Sequence, residues 1–128
     1  MKTFLGAVAI FLVIIAFVIM NMVHIEKLAG EMLSLCEALP RDTDEFLRDH
    51  DRVMADVERL WTLWDKSVER FALTIGYDNI DRADDALTEL YFSAKNRDGE
   101  MFVTAAGKFY DALRRLRELE QFNLQSIL

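Results

Sequence analysis

Two histidines and one cysteine are the side chains best suited to bind a metal or to act in catalysis, so their surroundings decide which chemistry is open to the chain. His50 lies between two aspartates, but sequence neighbours point to different faces of a helix and do not converge on one ion. Because His50 also falls on an apolar stripe, we expect it to pack against a core. His24 follows an apolar run with Glu26 close by, and we expect an interfacial polar residue there rather than a ligand.

Cys36 is the only cysteine, so no disulfide can form within the chain. It could serve as a nucleophile, but neither histidine has an evident arrangement that would orient and activate its sulfur. Cys36 neighbours apolar positions at helical spacing, and we expect a small buried residue there. An intermolecular disulfide stays open as an alternative, because an odd cysteine outside the cytoplasm allows one.

Four aspartates crowd into one short stretch and raise the question of a calcium site. A calcium loop places its ligands at alternate positions, with a glycine at the sixth position. Here the four aspartates are spaced three, three and one residues apart, and Ala83 instead of glycine holds the sixth position. We therefore expect a helix cap followed by a solvated acidic face, made of Asp78, Asp81, Asp84 and Asp85. The chain is expected to hold no metal and no cofactor, and no small-molecule substrate is evident.

Two groups of side chains are candidates for contact with a protein partner. Trp61 and Trp64 are three residues apart on one helix face. Core packing would explain both, and an exposed, partner-binding tryptophan is the alternative. Arg114, Arg115 and Arg117 form a basic group on an acidic chain. In the last turn of a helix they would match its dipole, and docking on an acidic partner is the alternative.

The elements that position these residues begin with an uncharged, strongly apolar run at residues 4–23. Twenty helical residues rise about 30 Å, which matches the hydrocarbon core of a bilayer. A cleaved secretory signal is the rival interpretation, but the run is longer than a signal core and no small-x-small site follows it. We therefore predict an uncleaved transmembrane anchor at residues 1–23, in contact with membrane lipid through residues 4–23.

Charge sets the expected orientation and limits the expected partners. Lys2 on the short N-terminal flank favours a cytoplasmic N-terminus, with an extracytoplasmic domain at residues 24–128 of a single-pass cell-membrane protein. The net charge is −7. Binding to phosphate needs concentrated Lys and Arg, so nucleic acid is not expected as a partner. Flat docking on anionic lipid headgroups is disfavoured for the same reason.

Apolar residues recur at spacings of three and four along the rest of the chain, which predicts helices and no strands. The first helix would carry the anchor on to Leu39, because the residue before Pro40 resists the helical conformation. A second helix is predicted through residues 46–75 after an acidic cap at Asp42. Gly76 would end that helix.

A third helix is predicted from a cap at Asp78 and a fourth after a turn at residues 96–99, the two forming an antiparallel hairpin. The fourth would end near the three arginines, and the apolar tail from Phe122 would pack back on the bundle. The predicted fold class is all-α, with a single N-terminal transmembrane helix extended into a small antiparallel helical bundle.

Three features of the sequence carry a resemblance to a known family. They are Lys2 followed by one apolar span, Trp61 and Trp64 on a long helix leading to Asn79-Ile80-Asp81, and the closing Asn123-Leu124-Gln125-Ser126-Ile127-Leu128. The chain resembles, over nearly its whole length, short membrane-anchored proteins of spore-forming Gram-positive bacteria, the domain of unknown function four-three-six-three. Tyr77 and Ser126 depart from that pattern, where histidine and asparagine are common. The resemblance implies a topology and carries over no activity and no site residues.

Three classes of function follow from these observations. The expected function is that of a non-enzymatic accessory or scaffold protein, which binds another envelope or membrane protein through its helical domain. A self-associating, coiled-coil-like structural protein is the alternative, since the stripe at residues 46–75 would permit pairing between copies. An enzyme acting outside the cytoplasm is the least favoured class, because it would need a polar cluster converging in a pocket.

Overall fold

A computed structural model of the chain describes residues 1–73 and 75–127, without the side chains at positions 124 and 127. This part of the chain contains no strand and forms five helices: α1 (Lys2–Ala38), α2 (Thr43–Arg48), α3 (His50–Ala72), α4 (Tyr77–Lys95) and α5 (Gly99–Ile127). The predicted all-α fold class is confirmed.

The first helix has two different surfaces along its length. Its apolar N-terminal part is exposed, whereas packing against the rest of the chain begins at Met22 and continues through Ile25, Ala29 and Met32. Leu39, before the proline, has extended backbone angles (φ −68°, ψ 148°) and ends the helix. One uninterrupted helix therefore carries the apolar run into the domain, as predicted.

Helices α3 and α5 both run antiparallel to α1. Along α3, the Ser67 hydroxyl lies 3.9 Å from the Met32 sulfur, and Arg70 donates to the Asn21 side chain at 3.5 Å. Along α5, the Tyr110 hydroxyl donates to Glu37 at 3.2 Å, and Arg117 Nε donates to Glu26 at 2.7 Å. The chain therefore has a proximal end, where α3 and α5 finish beside the apolar part of α1, and a distal end around α2.

Helices α4 and α5 form the predicted antiparallel hairpin, and they make the most extensive helix–helix contact in the described chain. Arg97 turns the chain in the left-handed region (φ 57°). The Asp98 carboxylate then accepts a hydrogen bond from the backbone N–H of Met101 at 3.2 Å and caps α5. The turn predicted at residues 96–99 is confirmed.

The helix predicted through residues 46–75 is wrong at both ends. Asp42 caps a helix as expected, accepting from the Glu45 N–H at 2.7 Å, but that helix stops at Arg48. Asp49 leaves the helical region (φ −104°, ψ 27°), and Phe46 of α2 stacks on Phe102 with ring centroids 4.4 Å apart. At the other end α3 finishes at Ala72, and Ile75 is buried within the following turn.

The fourth predicted helix is also longer than expected. Helix α5 continues to Ile127, and Phe122 is exposed on it rather than packed back on the bundle. The predicted packing of Leu128 lies outside the described residues. Helix α4 begins at Tyr77, so Asp78 belongs to its first turn, with Gly76 in the cap position. The longer α5 brings Gln121 beside Ile19 and Val23 in the apolar part of α1.

The core lies among α1, α3, α4 and α5, with α2 closing its distal end. Its largest side chains are fully buried and come from all five helices: Ile25, Met32, Phe46, Leu60, Trp64, Phe71, Leu87, Leu90, Phe102, Phe109, Leu113 and Leu116. Gly99 permits the close approach of α2, because a Cβ there would overlap the Thr43 side chain.

Candidate functional site

The two tryptophans occupy different environments. Trp64 is 1% exposed, and its ring lies between Phe71 and Phe109, each with a centroid 6.1 Å away. Its indole N–H donates to the Asp84 carboxylate at 3.0 Å, so its polar atom is satisfied where α3 meets α4. Trp64 is a core residue, which is one of the two alternatives that its sequence position left open.

Trp61 belongs to an aromatic cluster on the surface, which we define as Trp61, Tyr91 and Phe92. The Trp61 and Tyr91 rings are half-buried with centroids 5.5 Å apart, and Phe92 lies edge-on to Tyr91 at 5.6 Å. Phe92 is 50% exposed. The aromatic cluster thus joins α3 to α4 and presents apolar surface to the solvent.

The sequence did not single out Phe92, although a signal was present. Apolar residues of α4 recur at Ile80, Leu87, Leu90 and Ala94, and all four are buried. Phe92 falls between the last two, on the opposite face of the helix. A large aromatic residue on a polar helix face is the observation that would have identified it.

The three arginines do not form one patch. Arg117 reaches across to α1 and holds the Glu26 carboxylate at 2.6 Å. Arg114 lies 4.0 Å from Asp111 and 3.9 Å from Glu118, within α5. Because α5 continues to Ile127, none of them is in the last turn of the helix, and the predicted match to the helix dipole is wrong. Arg117 therefore joins α5 to α1 through an ion pair with Glu26.

Arg115 lines a groove of about 410 Å³ between α4 and α5. The charged side chains along this groove are three of each sign: Arg82, Lys108 and Arg115 are basic, and Asp85, Glu89 and Asp111 are acidic. Lys108 and Glu89 already face each other across it at 3.5 Å. The groove is therefore a mixed-charge seam rather than a concentrated anion-binding site.

The four aspartates of α4 lie on its exposed face, and one of them contacts the core. Asp78, Asp81 and Asp85 are exposed along its first half, as expected for a solvated face, and Asp84 orients Trp64. Within residues 1–73 and 75–127, no group of three or more His, Cys, Asp or Glu side chains is placed to hold a metal ion. His50 packs edge-on to Phe46 and its Nε2 lies 2.6 Å from the Ala94 carbonyl oxygen, so the prediction of a packed histidine is confirmed.

Cys36 is buried against α5, as predicted. Burial raises the pKa of its thiol from 9.0 to about 12, and the negative charge of Glu37 acts in the same direction. At neutral pH the sulfur is therefore a protonated thiol, whereas nucleophilic attack and disulfide exchange need the thiolate. Burial and the raised pKa of Cys36 therefore both oppose these two reactions.

The buried thiol predicts a loss of stability at alkaline pH. The unfolded chain loses this proton near pH 9.0 and the folded chain near pH 12, so between them the folded state binds more protons. The free energy of unfolding then falls as pH rises, by up to about 1.4 kcal/mol per pH unit for this one group. Urea unfolding of the full chain in detergent, followed by circular dichroism, measures this fall. Across this pH range the free energy of unfolding is expected to fall more steeply in the wild type than in the Cys36→Ala variant. Parallel pH profiles of the two proteins would contradict a buried thiol.

Helix α1 is, among the described residues, the one helix long and apolar enough to cross a membrane. None of the eighteen residues of its most apolar segment is buried within the protein. Comparison of the chain with protein-family models, curated proteins and solved structures finds no match in any of the three. Its function has to follow from its own burial, contacts and charges.

Proposed function

We propose that this chain is a membrane-anchored, non-enzymatic accessory or scaffold protein that binds another membrane or envelope protein through its helical domain. The aromatic cluster of Trp61, Tyr91 and Phe92 is the observation that carries this proposal. Tryptophan and tyrosine are among the residues that most often dominate the binding energy of protein interfaces. Their contact across α3 and α4 keeps them rigid, so little side-chain entropy is lost when a partner covers them.

The anchor supports a partner within or near the membrane. Residues 4–23 would cross the bilayer as one helix of about 30 Å, and Lys2 favours a cytoplasmic N-terminus with the domain on the outer side. Trp61 lies about 18 Å along α3 from Leu73, at the proximal end, by the helical rise. The aromatic cluster would therefore face proteins that stand close to the outer membrane surface.

Self-association through the long stripe, the alternative function, is less well supported. The stripe residues Val53, Val57, Leu60 and Phe71 are completely buried within the chain's own bundle. Pairing of copies along α3 would require that bundle to open. The break at Asp49 also interrupts the helical repeat that a continuous coiled coil needs.

The test is affinity purification of the full chain from its native host in mild detergent, followed by mass spectrometry. The wild type is expected to retain a second protein in stoichiometric amount, and Phe92→Ala and Trp61→Ala to lose most of it. Met101→Ala is the matched control, because Met101 is 45% exposed but lies outside the aromatic cluster. Recovery of the bait alone, at a mass above one chain, would favour the self-associating alternative. Equal recovery of the partner by all variants would show that the partner binds a surface other than the aromatic cluster.

A further inference from the structure

The proximal end of the domain lies at the level of the apolar run. Leu73, just after α3, shares a groove with Phe17 and Met20 of α1. On the other side of α1, Gln121 of α5 shares a groove with Ile19 and Val23. The ends of α3 and α5 therefore reach alongside residues that would be inside or at the edge of the bilayer.

Three of the described large apolar or aromatic side chains are exposed at this end, and we call them the proximal rim: Leu73, Tyr77 and Phe122. Their exposed fractions are 73%, 71% and 65%, the largest among such side chains that the structure describes beyond residue 23. Leu73 and Tyr77 flank the turn between α3 and α4, and Phe122 directly follows Gln121 on α5.

The α5 side of the rim suits an apolar environment, whereas Glu69 and Arg70 lie in the groove beside Leu73. Glu120 is the last charged side chain of the sequence, so the end of α5 that runs beside α1 carries none from Gln121 onward. Arg70 and Asn21, which pair at 3.5 Å, are polar groups at the level where headgroups would begin. Tyrosine is enriched at this boundary, because its ring is apolar and its hydroxyl stays hydrated.

We propose that the proximal rim inserts into the interfacial layer of the bilayer that holds α1, so that the domain rests on lipid instead of standing free on its anchor. This inference rests on the proposed membrane anchoring. The contact is apolar and local, and it therefore does not depend on attraction between an acidic domain and anionic headgroups. Lipid is the occupant that the geometry favours, because the rim is continuous with the lipid-facing surface of α1.

The rim is tested with the full chain in phosphatidylcholine nanodiscs, carrying one bimane probe on a cysteine in a Cys36→Ala background. Probes at Leu73→Cys and Phe122→Cys report on the rim. Leu47→Cys and Met101→Cys are matched controls, because both side chains are 45% exposed and lie towards the distal end. Val13→Cys reports on the anchor itself. Each probe is quenched once by shallow doxyl-labelled lipid and once by iodide in the water, and circular dichroism checks that every variant remains helical.

We expect doxyl lipid to quench positions 73 and 122, and iodide to quench them several-fold less than positions 47 and 101. Quenching by iodide at 73 and 122 as strong as at the controls would overturn the inference. Shielding from iodide without quenching by doxyl lipid would also overturn it, because a protein would then cover the rim. If iodide quenches position 13 as strongly as the controls, the anchor fails together with the rim. If iodide reaches 73 and 122 but not position 13, the anchor and the proposed function stand.

Discussion

Phe109→Asp is expected to abolish the cooperative unfolding transition of the domain. Phe109 is completely buried on α5, where its ring meets Trp64 edge-on with centroids 6.1 Å apart. Removing a buried phenylalanine costs about 3–5 kcal/mol, and burying an unpaired carboxylate adds several more. Since small domains are stable by only about 5–15 kcal/mol, the folded state is not expected to survive. Near-ultraviolet circular dichroism of the full chain in detergent, recorded against temperature, measures the loss.

Met101→Asp supplies the matched control for this substitution. It introduces the same charge on the same helix, but its side chain is 45% exposed and a carboxylate there stays hydrated. Its melting temperature should remain close to that of the wild type. Leu60→Asp repeats the test on α3, where the side chain is also completely buried. If Phe109→Asp melts cooperatively at an unchanged temperature, the buried face of α5 has been assigned wrongly.

The helices and their buried faces could be predicted because apolar spacing is a local property of the sequence. The stripe from Val53 to Phe71 repeats at three or four residues, and all of its positions are buried except Val68, which is half-buried. Pro40 likewise ends α1 for a reason that is contained in one dipeptide. Such signals need no knowledge of what packs on the other side.

The break at Asp49 could not be predicted, because its cause lies more than forty residues away. The spacing from Phe46 to Val53 continues across it without interruption. What bends the chain is the stacking of Phe46 on Phe102, together with the hydrogen bond between His50 and the Ala94 carbonyl. A helical spacing of apolar residues predicts which face is buried, but it does not predict whether the helix is continuous.

The candidate site shows the same limit at the level of single side chains. Residues three apart differ by about 60° around a helix, so spacing alone could not tell which tryptophan faces the core. Trp64 meets Phe109 and Asp84 from other helices, whereas Trp61 lies at the seam with α4. The length of α5 was missed for a related reason. The uncharged tail continues the helix beside α1, and its composition alone did not distinguish that from folding back.

Trp64→Ala is expected to destabilise the domain by about 3–5 kcal/mol, the usual cost of removing a fully buried large aromatic residue. The cavity would lie between Phe71 and Phe109, two rings held in place by helices and unable to collapse onto each other freely. Trp64→Phe keeps most of the volume but loses the hydrogen bond to Asp84. Because that carboxylate is exposed and can bind water instead, we expect the lost hydrogen bond to cost the Trp64→Phe variant only about 0.5–1.5 kcal/mol of stability. Urea unfolding of the full chain in detergent measures both values.

Trp61→Ala is the control that connects this stability series to binding. The Trp61 ring is half-buried against Tyr91, so its removal should leave most of the unfolding free energy intact. Trp61→Ala protein would then be folded, and its loss of a partner would reflect lost contact rather than lost structure. Equal destabilisation by Trp61→Ala and Trp64→Ala would mean that both rings belong to the core. In that case Phe92 alone would remain as the exposed part of the aromatic cluster, and the binding surface would have to be centred on α4.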